Sequence, residues 1–475
     1  MPYDSLRDYI DTLEKRKLLK WIDAEVDKDW EISSVARTYF QRVKQSERAA
    51  LGFRHVKGYD IPVILGAVGA SREVYGTALE TEPTFEAIKA IWGSALTNTI
   101  PTNRVDTGAC KEVILKGDDV DLNKFPIPTW CPGKDPNPFL TAPCLITMDP
   151  DTRVQNVGTY RMEIKGKSQT GVLWDMPSQH GALHYAKWEE RNEPMPMAVV
   201  VGADPTVILS SVSKVPVGVD ELAVAGGLRR KAIDVVACET CDILVPASAE
   251  IVLEGEVLPG ERVSEGPFGE YTGYMGGPYM MPIFYVKCIT HRKNPYYHAL
   301  FSQMPPSESS LMRQIAEEAN IYHHLVGQLK IPGVKDVHLT ESGGAYAMCW
   351  VSIKKHYQGQ AAQVMSAAWS HHPALAKWIV VTDEDIDIRD PFQREWALSW
   401  RVEPIKDIHF IPNTAEVLLD PSSNPQGAKG VALWERKSSK ICIDATKKFE
   451  FPSVALPKEE DLKRVVEDWE KYGLD

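Results

Sequence analysis

The chain has 475 residues, of which 44% are hydrophobic and 25% are charged, a balance typical of a globular protein with two or three domains. Its formal net charge of −12 disfavours a surface for nucleic acid or for an anionic membrane. No apolar run reaches the roughly 18 residues of a membrane span, and the N-terminal residues lack the apolar core of a secretory signal. We therefore expect a cytoplasmic protein with no nucleic-acid or membrane partner.

The eight cysteines are scattered along the chain, and only Cys238 and Cys241 form a CxxC pair. No second pair completes a zinc site at the usual spacing. We expect reduced thiols, as in proteins of the reducing cytosol.

Residues 1–118 mix helical and strand patterns and predict an N-terminal α/β domain. The first predicted helix, residues 4–17, is amphipathic. The other predicted elements are strands at Leu18–Val26 and Ile61–Ala70 and helices at 28–46 and Thr84–Ala95. Residues Asp119–Pro138 are rich in Pro, Asp and Asn, so they predict an extended loop at the first domain boundary.

Residues 119–305 consist mainly of short apolar segments separated by turn residues. Many short strands of this kind predict a barrel-like or split-barrel domain. One helix is predicted at Asp220–Arg229. The predicted strands are Ala142–Met148, Gln155–Ile164, Met197–Gly202, Cys241–Pro246, Glu250–Val257 and Ile283–Ile289.

Residues 306–475 return to an α/β pattern, so the whole chain predicts a three-part α/β (α+β) protein. The predicted helices are Ser307–Leu329, Gln358–Ser370 and Pro391–Trp400, with two strands within Lys335–Lys354 and one at Ala376–Thr382. A charged amphipathic helix at Lys458–Tyr472 ends the chain. We expect its apolar stripe to be buried by its own core or by a partner subunit.

The segment from Glu265 to Glu270 reads EGPFGE and sets two carboxylates across a turn. Such a pair can line one side of a cleft, where one carboxylate stays ionised and the other holds a proton. Acidic residues beside Gly and Pro more often mark a solvated loop. Arg161 suits either bidentate capture of a substrate carboxylate or an ion pair with a nearby acid, and both roles are compatible if its partner is Glu265.

Asn156, His180 and Glu221 form a mixed oxygen and nitrogen set that suits Mn²⁺ or Mg²⁺ and could join that ion to a phosphate. Each residue alone is more often a satisfied polar group. His180 and His184 are the weaker metal pair, because no HExxH motif is present. The chain also lacks the P-loop, the Rossmann GxGxxG and the GxSxG motifs, so nucleotide-hydrolase, dinucleotide-binding and serine-hydrolase interpretations have no support.

Four segments together resemble the UbiD family of reversible (de)carboxylases that use prenylated FMN. They are Asn156–Arg161, Gln179-His180, Asp220–Ala223 before Ala225-Gly226-Gly227, and Glu265–Glu270. The segment Val380–Asp387 is also similar to that family, and the similarity covers nearly the whole chain.

The resemblance implies that the central domain binds prenylated FMN and that Arg161, Glu265 and Glu270 form the catalytic network. It implies that Asn156, His180 and Glu221 hold Mn²⁺ (or Mg²⁺) against the cofactor phosphate, with K⁺ as a further candidate ion. The residues implied to bind the cofactor are Asn156, Thr159, Tyr160, Arg161, Gln179, His180, Ser210, Ser211, Glu221 and Lys377. The sequence departs from the family after Ser211, which leaves open which serine contacts the cofactor.

The implied reaction is non-oxidative, reversible decarboxylation of an aromatic, heteroaromatic or α,β-unsaturated acid, with CO₂ as the second product. Loss of CO₂ from an sp² carbon needs a cofactor as electron sink, and Glu270 suits the role of the acid that reprotonates that carbon. Implied partners are a flavin prenyltransferase, which supplies the cofactor, and further copies of the chain in a homodimer or homohexamer.

Two other classes of function remain open from the sequence. One is an FMN-dependent oxidoreductase, which would need an electron-donor site for which no fingerprint is present. The other is a non-catalytic subunit of a larger carboxylase complex, a role that does not require the two glutamates. The apolar and polar residues after Glu270 predict either a flat pocket for a conjugated acid or plain core packing. They are Tyr271, Tyr274, Tyr279, Met280, Met281, His291, His298, Gln303 and Met304.

Overall fold

The computed structural model describes residues 3–174, 179–213, 215–372, 374–416, 419–423 and 437–473. In the N-terminal region the first helix buries its apolar face as expected, and the Ser5 hydroxyl caps it by accepting the Asp8 N–H. The elements are α1 Leu6–Lys15, β1 Leu19–Val26, α2 Glu31–Arg42, β2 Ala50–Val56, β3 Val63–Leu65, α3 Arg72–Ala78, α4 Phe85–Thr97, β4 Asn103–Arg104 and β5 Val113–Lys116.

Two N-terminal predictions were too long. The helix predicted at 28–46 stops at Arg42, because Val43 adopts an extended conformation. The strand predicted at Ile61–Ala70 is limited to β3, because Gly66 takes a left-handed conformation (φ +75°) that ends the strand. The predicted boundary loop Asp119–Pro138 is packed rather than solvated, since its apolar side chains are buried.

The central region contains a nine-stranded sheet in which the paired strands run antiparallel. Its elements are β6 Phe139–Leu140, β7 Pro143–Met148, β8 Gln155–Thr159, β9 Met162–Gly166, β10 Gln169–Val172, α5 His180–Glu190, β11 Met195–Val201, α6 Pro205–Ser211, α7 Glu221–Arg229, β12 Asp234–Ala237, β13 Leu244–Pro246, β14 Ile251–Glu265, β15 Phe268–Gly269, β16 Met275–Gly276, β17 Tyr279–His291 and β18 Tyr297–His298.

The single strand predicted at Gln155–Ile164 was wrong, because β8 and β9 are separate strands with different neighbours. β8 pairs with β7, whereas β9 pairs with β6 and β10. Tyr160 and Arg161 lie at the break between the two strands. The predicted strands Glu250–Val257 and Ile283–Ile289 are parts of the longer β14 and β17, which pair along their length and bring Glu265 to the end of the ladder, opposite Tyr279.

The C-terminal region is built on a five-stranded mixed sheet in the order β19-β20-β21-β23-β22. Its elements are α8 Glu308–Tyr322, β19 Val334–Leu339, β20 Met348–Ile353, α9 Gln360–His371, β21 Trp378–Asp383, α10 Pro391–Arg401, α11 Pro404–Asp407, β22 Ile408–Ala415, β23 Lys437–Ala445 and α12 Glu459–Glu467. The expected α/β class is therefore confirmed.

The last helix, α12, has no buried residue. Its stripe consists of Leu462, Val465, Val466 and Trp469, and their exposed fractions range from 38% to 70%. The sequence predicted that this stripe is buried by its own core or by a partner subunit. The first of these alternatives was wrong, because the stripe is exposed. No described helix combines the length and apolar character needed to cross a membrane.

Candidate active site

Arg161 joins the two glutamates that the sequence singled out. Its Nε donates to Glu265 Oε1 at 2.9 Å and its Nη2 donates to Glu265 Oε2 at 2.8 Å, a bidentate pair. Its Nη1 donates to Glu270 Oε1. The side chain of Glu265 is fully buried, and those of Arg161 and Glu270 are 8% and 14% exposed. One cation thus lies between two carboxylates in a largely dry site.

The fold places these three residues through the ends of strands. Arg161 leaves the sheet at the break between β8 and β9, and Glu265 ends β14. Glu270 belongs to the tight hairpin between β15 and β16, where its N–H donates to the Tyr274 carbonyl at 2.8 Å. Gly276 is required there, because an added Cβ would lie 2.7 Å from Glu270 Cγ.

Glu163 holds the turn between the two glutamates, and the sequence pattern did not identify it. Its buried carboxylate accepts the Gly266 N–H at 2.7 Å and the Asn137 side-chain N–H at 2.7 Å, and it pairs with Lys165 at 2.6 Å. Gly266 has a φ of +82°, which favours glycine. The sequence did contain one signal for Glu163. It lies two residues after Arg161, and side chains two residues apart on a strand point to the same face.

The charge of Arg161 is strongly stabilised. Burial by itself lowers its pKa, but the hydrogen bonds and charges of Glu265 and Glu270 outweigh burial, so the pKa is raised. Its guanidinium also lies 4.9 Å from the centre of the Phe268 ring and 6.0 Å from that of Phe139. Arg161 therefore stays cationic and fixed in place.

The structure brings the proposed metal ligands together. Asn156 Oδ1 is 3.2 Å from His180 Nδ1, and this nitrogen is 3.6 Å from Glu221 Oε1. Glu221 is buried, which raises its pKa to about 7, and its second oxygen accepts the Val157 N–H at 2.8 Å. Burial also lowers the pKa of His180. The strand β8 and the first residues of α5 and α7 supply this set.

His184 points elsewhere, so the alternative pair of His180 and His184 is not formed. His184 Nδ1 is 2.9 Å from Thr147 Oγ1, and its Nε2 is 3.9 Å from Asp149. Burial lowers its pKa to about 4. Among the described residues, no group of three or more His, Cys, Asp or Glu side chains could hold a metal.

The hydroxyl groups near the break between β8 and β9 form hydrogen bonds within the protein. Thr159 Oγ1 is 2.7 Å from Ser211 Oγ, and Ser211 also donates to the Ile208 carbonyl. Ser210 is fully buried and donates to the Val207 carbonyl at 2.9 Å. Ser211 thus lies beside β8, whereas no described hydrogen bond links Ser210 to that strand. The Tyr160 ring folds over Gly158 and packs edge-on against Trp174.

The surroundings of Asn156 fit a metal and a phosphate-bearing group. Asn156 Nδ2 and Trp174 Nε1 are buried donors without an acceptor in the described part of the chain. Unused buried donors are costly unless a ligand supplies the acceptor. Trp174 adjoins Gly181, which follows His180, and Gln179 precedes α5. The donors suit phosphate oxygens, and the carbonyl, imidazole and carboxylate suit a hard divalent ion.

Lys377 lies at the start of β21 in the C-terminal region. Its Nζ donates to Asp420 Oδ2 at 2.7 Å and to Ser422 Oγ at 2.5 Å. The structure records no contact between Lys377 and the Asn156 set within the described residues.

A cavity of about 550 Å³ adjoins the Glu270 hairpin. Tyr274, Gln303 and Met304, which the sequence placed near a pocket, line it together with Trp130 and Phe301. Tyr271 packs elsewhere, with its ring 5.6 Å from that of Tyr346. The cavity is therefore a mainly apolar space lined in part by the residues on either side of Glu270, including Gly269 and Gly273.

Comparison with known proteins agrees with this geometry. The N-terminal, Rift-related and C-terminal domain models of 3-octaprenyl-4-hydroxybenzoate carboxy-lyase match residues 10–91, 103–305 and 310–445. An uncharacterized protein of Archaeoglobus fulgidus is 34% identical, and the alignment covers 99% of this chain and 98% of that protein.

Two solved structures extend the comparison to the whole fold. The UbiD-class enzyme HmfF from Pelotomaculum thermopropionicum, in complex with FMN, is 33% identical with a TM-score of 0.85, covering 97% of this chain and 99% of that one. An evolved dimeric form of HmfF was solved with prFMN. Vanillic acid decarboxylase from Sedimentibacter hydroxybenzoicus is 27% identical with a TM-score of 0.83, covering 99% of this chain and 100% of that one.

The three matched regions span most of the chain, and the buried Arg161 with its two glutamates lies within the second of them. The protein is a member of the UbiD family of decarboxylases.

Proposed function

We propose that the protein catalyses reversible, non-oxidative decarboxylation of an aromatic, heteroaromatic or α,β-unsaturated acid with prenylated FMN. The observation that carries the proposal is the buried bridge from Arg161 to Glu265 and Glu270. It combines a permanent cation, which suits a substrate carboxylate, with a carboxyl group that can exchange a proton beside it.

Each residue of the network has a separate task in this reaction. Arg161 binds and orients the substrate carboxylate, and Glu265 keeps the guanidinium in its plane through the bidentate pair. The bond from the carboxyl carbon to the substrate breaks and CO₂ leaves. Glu270 then transfers its proton to the carbon that lost CO₂, and the same steps in reverse give carboxylation. Prenylated FMN, when bound, supplies the electron sink for this chemistry.

The cofactor site of the proposal is the region around Asn156. Asn156, His180 and Glu221 would hold Mn²⁺ or Mg²⁺ next to the cofactor phosphate, and K⁺ is a second candidate ion. Thr159, Ser211 and Gln179 would lie along the cofactor. A flavin prenyltransferase is then needed to supply it. The contact of Lys377 with the phosphate stays a prediction, because it requires Lys377 to leave Asp420.

The first experiment is to express the protein with a flavin prenyltransferase and Mn²⁺ and to measure the visible spectrum and the mass of the released cofactor. A flavin that carries an added prenyl group, with CO₂ release from a panel of acids, is the expected result. Unmodified FMN together with NADH or NADPH oxidation would favour the oxidoreductase instead. A protein that takes up no flavin would favour a non-catalytic subunit.

We also propose that the chain forms a homodimer or homohexamer through α12. The support is the exposed apolar stripe of this helix, since a contiguous apolar face commonly marks an interface. Light scattering should show an oligomer for the native protein and a smaller species for Val466→Glu. Glu460→Lys, on the same helix, is the control for a change of charge alone.

A further inference from the structure

Cys238 and Cys241 are two thiols that the proposed reaction does not use. They lie in the turn between β12 and β13, where the Cys238 N–H donates to the Ile243 carbonyl at 2.8 Å and closes the loop. A hydrogen bond joins the two thiols, and this bond together with burial raises the pKa of Cys238. Both side chains are half-buried, and the neighbouring residues Thr240 and Asp242 are exposed. The pair is therefore in mutual contact at the surface end of a hairpin.

The other cysteines are arranged differently. Five of the eight are buried, so Cys131 is the third thiol with partial exposure, and it lies in the loop before β6, far along the chain from the other two. Among the buried thiols, desolvation raises the pKa of Cys110 to about 11 and that of Cys288 to about 12. Such thiols are unreactive, because the thiolate is the nucleophile. Cys238 and Cys241 alone combine partial exposure with a partner thiol in the described part of the chain.

The turn is held in a shape that keeps the thiols together. Buried Glu254 on β14 accepts the Glu239 N–H at 2.7 Å and the Thr240 N–H at 2.9 Å. Lys111 and Lys116 pair with the Glu239 side chain at 2.6 and 3.0 Å. The first and fourth residues of a turn have Cα atoms less than about 7 Å apart, and a disulfide spans about 4.4 to 6.8 Å between Cα atoms. The fold therefore permits a bond between the two sulfurs with a small movement.

This hairpin is joined directly to the strand that carries Asn156. The side chain of Gln155, the residue before Asn156, donates to the Leu244 carbonyl at 3.0 Å and accepts the Leu244 N–H at 2.7 Å. Arg153, two residues earlier, forms an ion pair with Asp242 inside the turn. A displacement of the turn therefore reaches the neighbour of a candidate metal ligand through direct contacts.

We propose that Cys238 and Cys241 form a redox-active pair whose disulfide weakens metal binding at the Asn156 set. The oxidant is a low-molecular-weight disulfide. Because the pKa of Cys238 is raised, Cys241 attacks first as the thiolate, which gives a mixed disulfide and releases one small thiol. Cys238 then loses its proton to solvent and attacks the Cys241 sulfur, which releases the second small thiol. Two protein thiols are thereby oxidised, and one small disulfide is reduced to two thiols.

The direction of the coupling follows from the geometry of the bond. The sulfurs of a disulfide are about 2.05 Å apart, so its formation draws Cys241 toward Cys238 and pulls the turn away from Glu254. We expect the oxidised protein to bind Mn²⁺ about 10-fold less tightly. Binding and reduction are linked reciprocally, so Mn²⁺ should raise the reduction potential of the pair by about 30 mV, the equivalent of that 10-fold ratio. This coupling rests on the metal set of the proposed function.

The test equilibrates the full-length protein in glutathione redox buffers, with and without saturating Mn²⁺ and FMN, and counts alkylated cysteines by peptide mass spectrometry. We expect Cys238 and Cys241 to lose their label together and reversibly, at a potential about 30 mV higher when Mn²⁺ and FMN are bound. Metal analysis should show the 10-fold weaker binding of Mn²⁺ by the oxidised protein. Cys241→Ser should retain Mn²⁺ equally at every potential. Cys131→Ser, which removes the other partly exposed thiol, should behave as the native protein.

The possible failures are distinct. Two thiols that stay labelled in oxidising buffer overturn the inference, and so does a disulfide whose potential is the same with and without Mn²⁺ and FMN. Both results leave the proposed decarboxylation untouched. A reduced protein that binds neither Mn²⁺ nor FMN would instead overturn the cofactor site of the proposed function, and with it the coupling.

Discussion

Two polar clusters of the central region begin on the same short stretch of chain, yet they differ in how completely their atoms are paired. Arg161 has carboxylate partners on its Nε, Nη1 and Nη2 atoms. Asn156 lies five residues before Arg161, and its buried amide nitrogen has no acceptor among the described residues. It lies beside Glu221, whose pKa is raised by burial. In the first cluster the three guanidinium nitrogens are paired with carboxylates, whereas in the second a buried donor is left without an acceptor in the described part of the chain.

The contrast separates the part of the site that the fold builds by itself from the part that a bound group would complete. A complete network can be preorganised before any substrate arrives, because its charges compensate one another. An incomplete set of donors and acceptors carries a desolvation cost that a metal and a phosphate would offset. Substitutions in the Arg161 cluster should therefore change kcat. Substitutions in the Asn156 cluster should change how much metal and flavin the protein retains.

The largest effect is expected at Glu270. Glu270→Gln should lower kcat by about 1000-fold, because an amide cannot supply the proton, while the flavin content stays that of the native protein. Stopped-flow and steady-state assays of CO₂ release measure kcat, and the absorbance ratio of flavin to protein measures the flavin content. Glu261→Gln, an exposed position on β14, is the control. Native activity in Glu270→Gln would remove Glu270 from the mechanism.

Glu221→Gln tests the incomplete cluster. Loss of one anionic ligand should weaken retention of metal and flavin by about 10- to 100-fold, and the remaining loaded enzyme should keep its kcat. Metal analysis and flavin titration measure the effect. His184→Gln should retain both, because His184 contacts Thr147 and Asp149 instead. Full loading of Glu221→Gln would contradict the assignment of the metal set.

A third cluster of charges surrounds Glu318 on α8 and should affect stability only. Buried Glu318 contacts His338, Arg389 and Arg72 at 2.9, 3.1 and 2.6 Å. Burial raises the pKa of Glu318, but these partners outweigh it and lower the pKa to about 2. Because the folded pKa lies below the unfolded value, this stability is complete above about pH 4.5 and is lost as the pH falls toward 2.

Glu318→Gln should consequently lower the free energy of unfolding at pH 7 by about 3 kcal/mol, and the gap from the native protein should narrow as the pH falls below about 4.5. Urea unfolding at a series of pH values measures it. The kcat of the loaded enzyme should not change. A gap that is constant with pH would show that the charge of Glu318 is not responsible.

The smallest effect is expected at Glu163, which positions the turn rather than the substrate. Glu163→Gln keeps the shape of the side chain but loses the charge that pairs with Lys165, so we expect kcat to fall by about 10-fold with KM unchanged. Lys165→Met, which removes the other half of the ion pair, should give a smaller decrease. An effect on KM alone would assign Glu163 to substrate binding.

Local patterns were sufficient for much of the fold and for the chemical types in the site. The 3.6-residue spacing of apolar residues predicted α1, and the segment EGPFGE with Arg161 predicted a charge network, whose three residues are in contact in the structure. Asn156, His180 and Glu221 also converge as expected. Residue chemistry and short periods are properties of neighbouring residues, which is why the sequence alone contains them.

Only the tertiary structure decided which strands pair and which charges meet. The division of Gln155–Ile164 into β8 and β9 depends on partners far along the chain, and it is this division that turns Arg161 toward the two glutamates. The contact of Glu163 with Gly266 and the contact of His184 with Thr147 likewise depend on segments that approach in space. Strand pairing and register are set by packing between residues that are far apart in the sequence, so local sequence patterns do not reveal them.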